Sequence, residues 1–268
     1  MSNAGKPRNY SLLRSCRTYT NTSLKQLYIL TGLSISGLKT LQRDIRFTKR
    51  RAVPVEVVSG DGIKLATTKR KAKIRPLINE AINSGLYKNA LVSAVTLVEE
   101  FIHCYLHLML STYPQKVGKE RRLGIDDLLK VHDKDDAVQL LIEKEILAAL
   151  YKSPRDYLDY FENILSIDLP LKDKRAYIEV KATRDLLVHN GGIVNSVYLE
   201  KTGNMARAKL GDLIPVTQEY FDDAFRALTR FVNSTFELTL VKHGDSIEMK
   251  PNQPMHPTRT ARSRHSRW

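Results

Sequence analysis

Arg184-Asp185-Leu186-Leu187-Val188-His189-Asn190, followed by Gly191 and Gly192, decides how this chain is read. It closes an amphipathic run that begins near Lys172, and the Asn-Gly pair behind it is an ordinary helix stop. A motif helix over about 172–189 is therefore expected. Arg184 supplies a permanently charged, fork-shaped donor suited to a phosphate. His189 supplies the side chain best able to take or give a proton near neutral pH. Asp185 lies four positions before His189 on one helical face, where its carboxylate would hold the imidazole in a single tautomer. Arg184 and His189 are five positions apart, about 140° around an ideal helix. One copy thus presents the two groups on diverging faces, and two copies related by a twofold axis would pool them in one cleft. The same spacing also suits a plain structural role, since histidine in a last helical turn complements the helix dipole.

Around this stretch the chain has the composition of a globular protein. Its 268 residues can bury a full core, and 42% of them are hydrophobic. Two cysteines, Cys16 and Cys104, are too few for a disulfide framework and point to a reducing compartment. Met1–Tyr10 lacks the apolar core of a signal peptide. Ala90–Leu110 is the most apolar stretch, but Glu99-Glu100 and His103 interrupt it, which indicates a buried helix rather than a membrane span. A cytoplasmic protein with no membrane association is expected.

The net charge of +14 is concentrated at the ends. Residues 1–75 carry 17 Lys/Arg against 3 Asp/Glu, whereas residues 76–250 carry 22 against 26. The tail 251–268 adds four arginines and no acid. A basic segment on a mildly acidic body suggests that one part grips a polyanion. A solvated basic arm with no ligand has the same composition.

Read in order, residues 1–17 are polar and basic without periodicity and are expected to form a mobile arm. Thr22 and Ser23 offer N-caps for a helix carrying Leu24, Leu27, Tyr28 and Leu30. Gly32 is expected to break it, with Ser34 capping a second helix whose Leu38, Leu41 and Ile45 point inward. Lys39, Arg43 and Arg46 on that helix, with Lys49, Arg50 and Arg51 beyond it, are the candidate nucleic-acid contacts. Val53–Val58, a Ser59–Gly62 turn and Ile63–Thr67 read as a hairpin. Together residues 18–70 resemble a winged helix-turn-helix. Two generic helices and a hairpin packed on the main body fit the pattern equally.

From residue 71 the chain reads as a helical domain to about residue 250. One or two helices cover 76–112, with Gly85 a point of kinking. His103 and His107 are one turn apart, the spacing of a metal pair, but Cys104 stands where a metalloprotease helix has glutamate and no third ligand is evident. Packing histidines are the expectation, with no metal and no cofactor. Helices follow over about 125–132, 135–151 and 154–167, where Ser153-Pro154 is a clean start signal. After the motif helix, 193–198 and 209–216 read as irregular or weakly extended, and Thr217 caps a last helix to about Leu240. Residues 251–268 are expected to be disordered.

The string Tyr177-Ile178-Glu179-Val180-Lys181-Ala182-Thr183, then Arg184 through Asn190, then Gly191–Asn195, resembles the HEPN superfamily of helical proteins. That family's signature is arginine, a polar residue, a few more residues and histidine, and Arg184, Asp185 and His189 occupy those places. The resemblance extends over residues 71–245, with 177–195 its specific part. It implies a mainly α fold, a HEPN-like helical bundle preceded by the small helix-turn-helix and hairpin segment. It also implies a metal-independent endoribonuclease acting as a homodimer on RNA, in a toxin–antitoxin or antiviral-defence setting. His189 would activate the ribose 2′-hydroxyl, Arg184 would steady charge on phosphorus, and Asp185 would orient the imidazole. Glu179 and Asn190 are assisting candidates. For Glu179 an inter-subunit or surface ion pair is the plainer role. Two other readings remain open from sequence. One is a DNA-binding regulator whose helical body only dimerises. The other is a non-catalytic helical module that binds a nucleotide or a partner antitoxin.

Overall fold

Forty residues that sequence divides into an arm and two short helices form one continuous helix, α1 (Arg8–Phe47). The structure is a computed structural model describing residues 8–47, 52–53, 57–58, 64–66, 69–118, 122–129 and 131–243. Along α1, Leu13, Leu24, Ile35 and Ile45 are buried, recurring at about three-turn intervals and so forming one stripe. Interior glycine costs a helix about 1 kcal/mol. Burial of Leu24 and Ile35 on either side of Gly32, worth about 1.5–3 kcal/mol per side chain, outweighs that cost. The expected helix-turn-helix is therefore absent: no turn interrupts the chain at Gly32. The mobile arm is likewise corrected, since residues 8–17 are helical.

Short ladders follow, β1 (Ala52–Val53) pairing antiparallel with β4 (Lys69–Arg70), and β2 (Val57–Val58) with β3 (Lys64–Ala66). The hairpin turn expected at 59–62, the cations Lys49, Arg50 and Arg51, and the tail 251–268 lie outside the described residues.

The body is mainly helical. It comprises α2 (Lys71–Glu80), α3 (Leu86–Thr112), α4 (Ile125–Leu128), α5 (Lys134–Leu150), α6 (Pro154–Leu165), α7 (Leu171–His189), α8 (Ser196–Thr202) and α9 (Gln218–His243). A five-residue π-helical segment, Ala81–Gly85, joins α2 to α3 in one continuous helical run. α3 is the central helix, with Leu91, Val95, Val98, Ile102, Tyr105 and Leu106 fully buried. α1, α5, α6, α7 and α9 all pack against it. By length and composition Lys71–Thr112 would pass as a membrane span, yet half of its most apolar window is packed inside the protein.

Aromatic side chains fasten the layers. Phe221 stacks on Tyr28 of α1 and also meets Tyr87 of α3, while Phe231 of α9 stacks on Tyr177 of α7 at 4.7 Å. Asn233 accepts from Arg17 and Asn21, both at 2.9 Å, fixing α1 to α9. Cys16 of α1 and Cys104 of α3 are joined as a disulfide, so the inference of a reducing compartment from the cysteine count gains no support from the structure.

The continuity of α1 is testable through its glycines. An added methyl group would meet nothing within 4 Å at Gly32 or Gly37. Gly32→Ala and Gly37→Ala should each raise stability by about 0.5–1 kcal/mol in urea unfolding. Destabilisation by Gly32→Ala would instead indicate a turn.

Candidate active site

The motif helix α7 is charged along much of its length, and it is buried only because each inward charge meets a partner. In its first turn the buried Asp173 accepts from Ser234 at 3.0 Å and Arg230 at 3.4 Å, both on α9. At its end the Asn190 and Gly192 amides both donate to Leu186 O at 2.9 Å. Gly191 (φ 59°) and Gly192 (φ 80°) take the left-handed turn that lets the chain reverse. The Asn190 side chain donates to the Ile193 carbonyl, so its amide is spent on closing this loop.

Halfway along α7, Glu179 is 8% exposed and forms a hub. It accepts from Arg207 Nε at 2.7 Å, Thr183 Oγ1 at 2.8 Å, Tyr220 OH at 2.9 Å and Tyr198 OH at 3.3 Å. The Arg207 guanidinium lies 3.4 Å from the centroid of the Tyr220 ring and also donates to Pro215 O at 2.6 Å. Burial, with Glu179 beside it, raises the Tyr220 phenol well above its usual range. Glu179 thus makes a buried intramolecular ion pair that pins the segment after α8 onto α7, rather than a surface or inter-subunit bridge.

Arg184 sits in a second cluster on another face. Its Nη1 lies 3.1 Å from Asp185 Oδ1, and its Nη2 lies 3.4 Å from Glu99 Oε2 on α3. Lys181 bonds the other Glu99 oxygen, and Lys201 of α8 reaches Asp185 Oδ2 at 3.5 Å. The five side chains are between 16% and 27% exposed, so water screens them only partly. Three cations against two carboxylates leave the cluster with one surplus positive charge. Arg184 Nε is buried with no hydrogen-bond partner.

His189 ends α7 and is exposed, and its ring makes no hydrogen bond or ion pair with any of the described residues. Asp185, expected to orient it, gives both carboxylate oxygens to Arg184, Lys181 and Lys201 instead. Close to it in the chain, Val188 on α7, Ile193, which forms a β-bridge with Leu213, and Val197 on α8 are exposed apolar side chains, as is Leu213 itself. The structure therefore brings Arg184 and Asp185 together and leaves His189 free at the helix end.

Of the basic candidates on α1, Lys39, Arg43 and Arg46 are exposed and share a sector of about 60°. His103 and His107 are half-buried, and burial lowers both pKa values, with Glu143 opposing the shift in each. Among the described residues no group of three or more His, Cys, Asp or Glu side chains is placed to hold a metal ion.

Sequence reasoning missed Glu99, Lys181, Lys201 and Arg207. Only Glu99 left a signal, as a charge interrupting the apolar run of α3. No protein-family model, no curated protein and no solved structure matches this chain.

Removing Arg207 strands a buried carboxylate. Arg207→Ala should lower stability by about 3–5 kcal/mol in denaturant unfolding. Joint replacement of Glu179 and Arg207 by apolar residues should cost less than the single change. A near-neutral single variant would show that the hub contributes little.

Proposed function

We propose that this protein is a metal-independent endoribonuclease of the HEPN type, working as a homodimer as a toxin or antiviral-defence effector. The observation that carries the reading is the pairing of a half-buried, carboxylate-held Arg184 with an unengaged His189 at the end of the same helix. A phosphodiester needs such a division of labour. A fixed cation meets charge as it grows on phosphorus, and a free imidazole exchanges protons.

The chemistry follows from RNA itself. Neutral His189 takes the proton of the ribose 2′-hydroxyl, and the 2′-oxygen attacks phosphorus. The P–O5′ bond breaks, and an imidazolium returns a proton to the leaving 5′-oxygen. The products are a 2′,3′-cyclic phosphate and a 5′-hydroxyl. DNA lacks the nucleophile and should persist.

The dimer is supported by two features. Arg184 and His189 diverge by about 140° on α7, so a single chain does not focus both on one phosphate. Val188, Ile193, Val197 and Leu213, which follow or pair with the end of α7, are exposed apolar side chains of the kind a second copy would bury. Lys39, Arg43 and Arg46 provide an exposed basic ridge for the RNA backbone. The rival reading, a DNA-binding regulator, relied on a helix-turn-helix that the unbroken α1 does not contain. In a toxin setting, an antitoxin covering His189 would restrain the enzyme.

The test is cleavage of single-stranded RNA in EDTA by wild type, Arg184→Ala and His189→Ala. Wild-type cleavage should survive the chelator and yield cyclic-phosphate ends, and each variant should lose about 10²–10⁴-fold in rate. Cleavage that EDTA abolishes and His189→Ala leaves intact would contradict the proposal.

A further inference from the structure

We propose that Glu99 of α3 is the positioning residue of Arg184, so the phosphate-binding arm of the site is built across two helices rather than on α7 alone. This rests on reading Arg184 as the phosphate-binding group. Asp185 cannot fix Arg184 relative to the rest of the protein, because the two are neighbours on one helix and move together. Glu99 can. Its helix is the central one, and its sequence neighbour Val98 and the next turn's Ile102 are fully buried.

Glu99 holds two cations at once, Arg184 through Oε2 at 3.4 Å and Lys181 through Oε1. Lys181 therefore offsets the carboxylate's charge and keeps Glu99 from cancelling the guanidinium. The floor of the cluster supplies no competing hold. Arg184 Nε and the hydroxyls of Tyr157 and Tyr177 are buried there without hydrogen-bond partners. The guanidinium is thus clamped at both terminal nitrogens by carboxylates, one from each helix. Nη1 gives one N–H to Asp185 as a hydrogen bond and Nη2 is held by Glu99 as an ion pair, so N–H donors on both terminal nitrogens remain for a phosphate. Held this way, Arg184 needs no rearrangement when charge builds on phosphorus, which is where preorganised donors act.

The experiment measures RNA cleavage by wild type, Glu99→Gln, Glu99→Asp, Arg184→Ala and the Glu99→Gln/Arg184→Ala double variant, with circular dichroism confirming folding. Glu99→Gln should lower kcat by about 10- to 100-fold with little change in KM, since misplacing a catalytic group by about 1 Å has effects of that order. Glu99→Asp should recover part of the loss. The double variant should be no slower than Arg184→Ala, because both changes remove one function. A side-chain 15N arginine spectrum supplies a readout independent of turnover. The Arg184 Nε–Hε signal, identified by its loss in Arg184→Ala, should exchange with solvent faster in Glu99→Gln. Cleavage that needs Arg184 but keeps wild-type kcat in Glu99→Gln, or losses that multiply in the double variant, would overturn this inference alone. Absence of cleavage by wild type, or cleavage indifferent to Arg184→Ala, would remove the ribonuclease reading and this inference with it.

Discussion

A charged helix can enter a protein interior only if every charge it carries inward finds an opposite one, and α7 lives under that constraint. Asp173, Glu179, Lys181, Arg184 and Asp185 all lie on it, and each is at least half-buried. Their partners come from four directions: α9 for Asp173, the segment after α8 for Glu179, α3 for Lys181 and Arg184, and α8 for Asp185. Leaving one such charge unpaired would cost several kcal/mol, so these contacts fix the rotation and depth of α7. The position of Arg184 is a consequence of that arrangement, and the exposure of His189 follows from where the helix stops.

The pairing of charges changes along this helix. The Glu179 hub braces it with a buried ion pair, an aromatic face and three hydroxyls. The Arg184 cluster, one and a half turns further on, keeps a surplus positive charge and partial access to water. The last residue is left without partners among the described residues.

Much of the body was legible in the sequence because local chemistry decided it. Ser153-Pro154 starts α6, with the Ser153 hydroxyl accepting the Asp156 amide at 3.2 Å. Asn190-Gly191-Gly192 stops α7 as the turn residues require. α1 was misread because Gly32 and Ser34 carry a break signal that tertiary burial of Leu24, Thr31 and Ile35 overrides. α8 is not legible in the sequence, where 193–198 reads as irregular or weakly extended, although Asn195 caps the helix, its side chain accepting the Tyr198 amide at 2.9 Å. Seven residues offer too short a window for periodicity to register. The partners of Arg184 were hidden for a different reason. Glu99 reaches Arg184 across 85 positions of chain and Lys201 reaches Asp185 across 16, and no local pattern records such pairings.

The central claim is that a guanidinium from one chain and an imidazole from another act on the same phosphodiester. Mixing Arg184→Ala with His189→Ala protein tests it most directly. In a freely exchanging 1:1 mixture half of the dimers are mixed, and each retains one intact Arg184–His189 pair across the interface. The account therefore predicts that RNA cleavage, absent from either variant alone, returns to about a quarter of the wild-type rate. A mixture as inactive as its two components would contradict it.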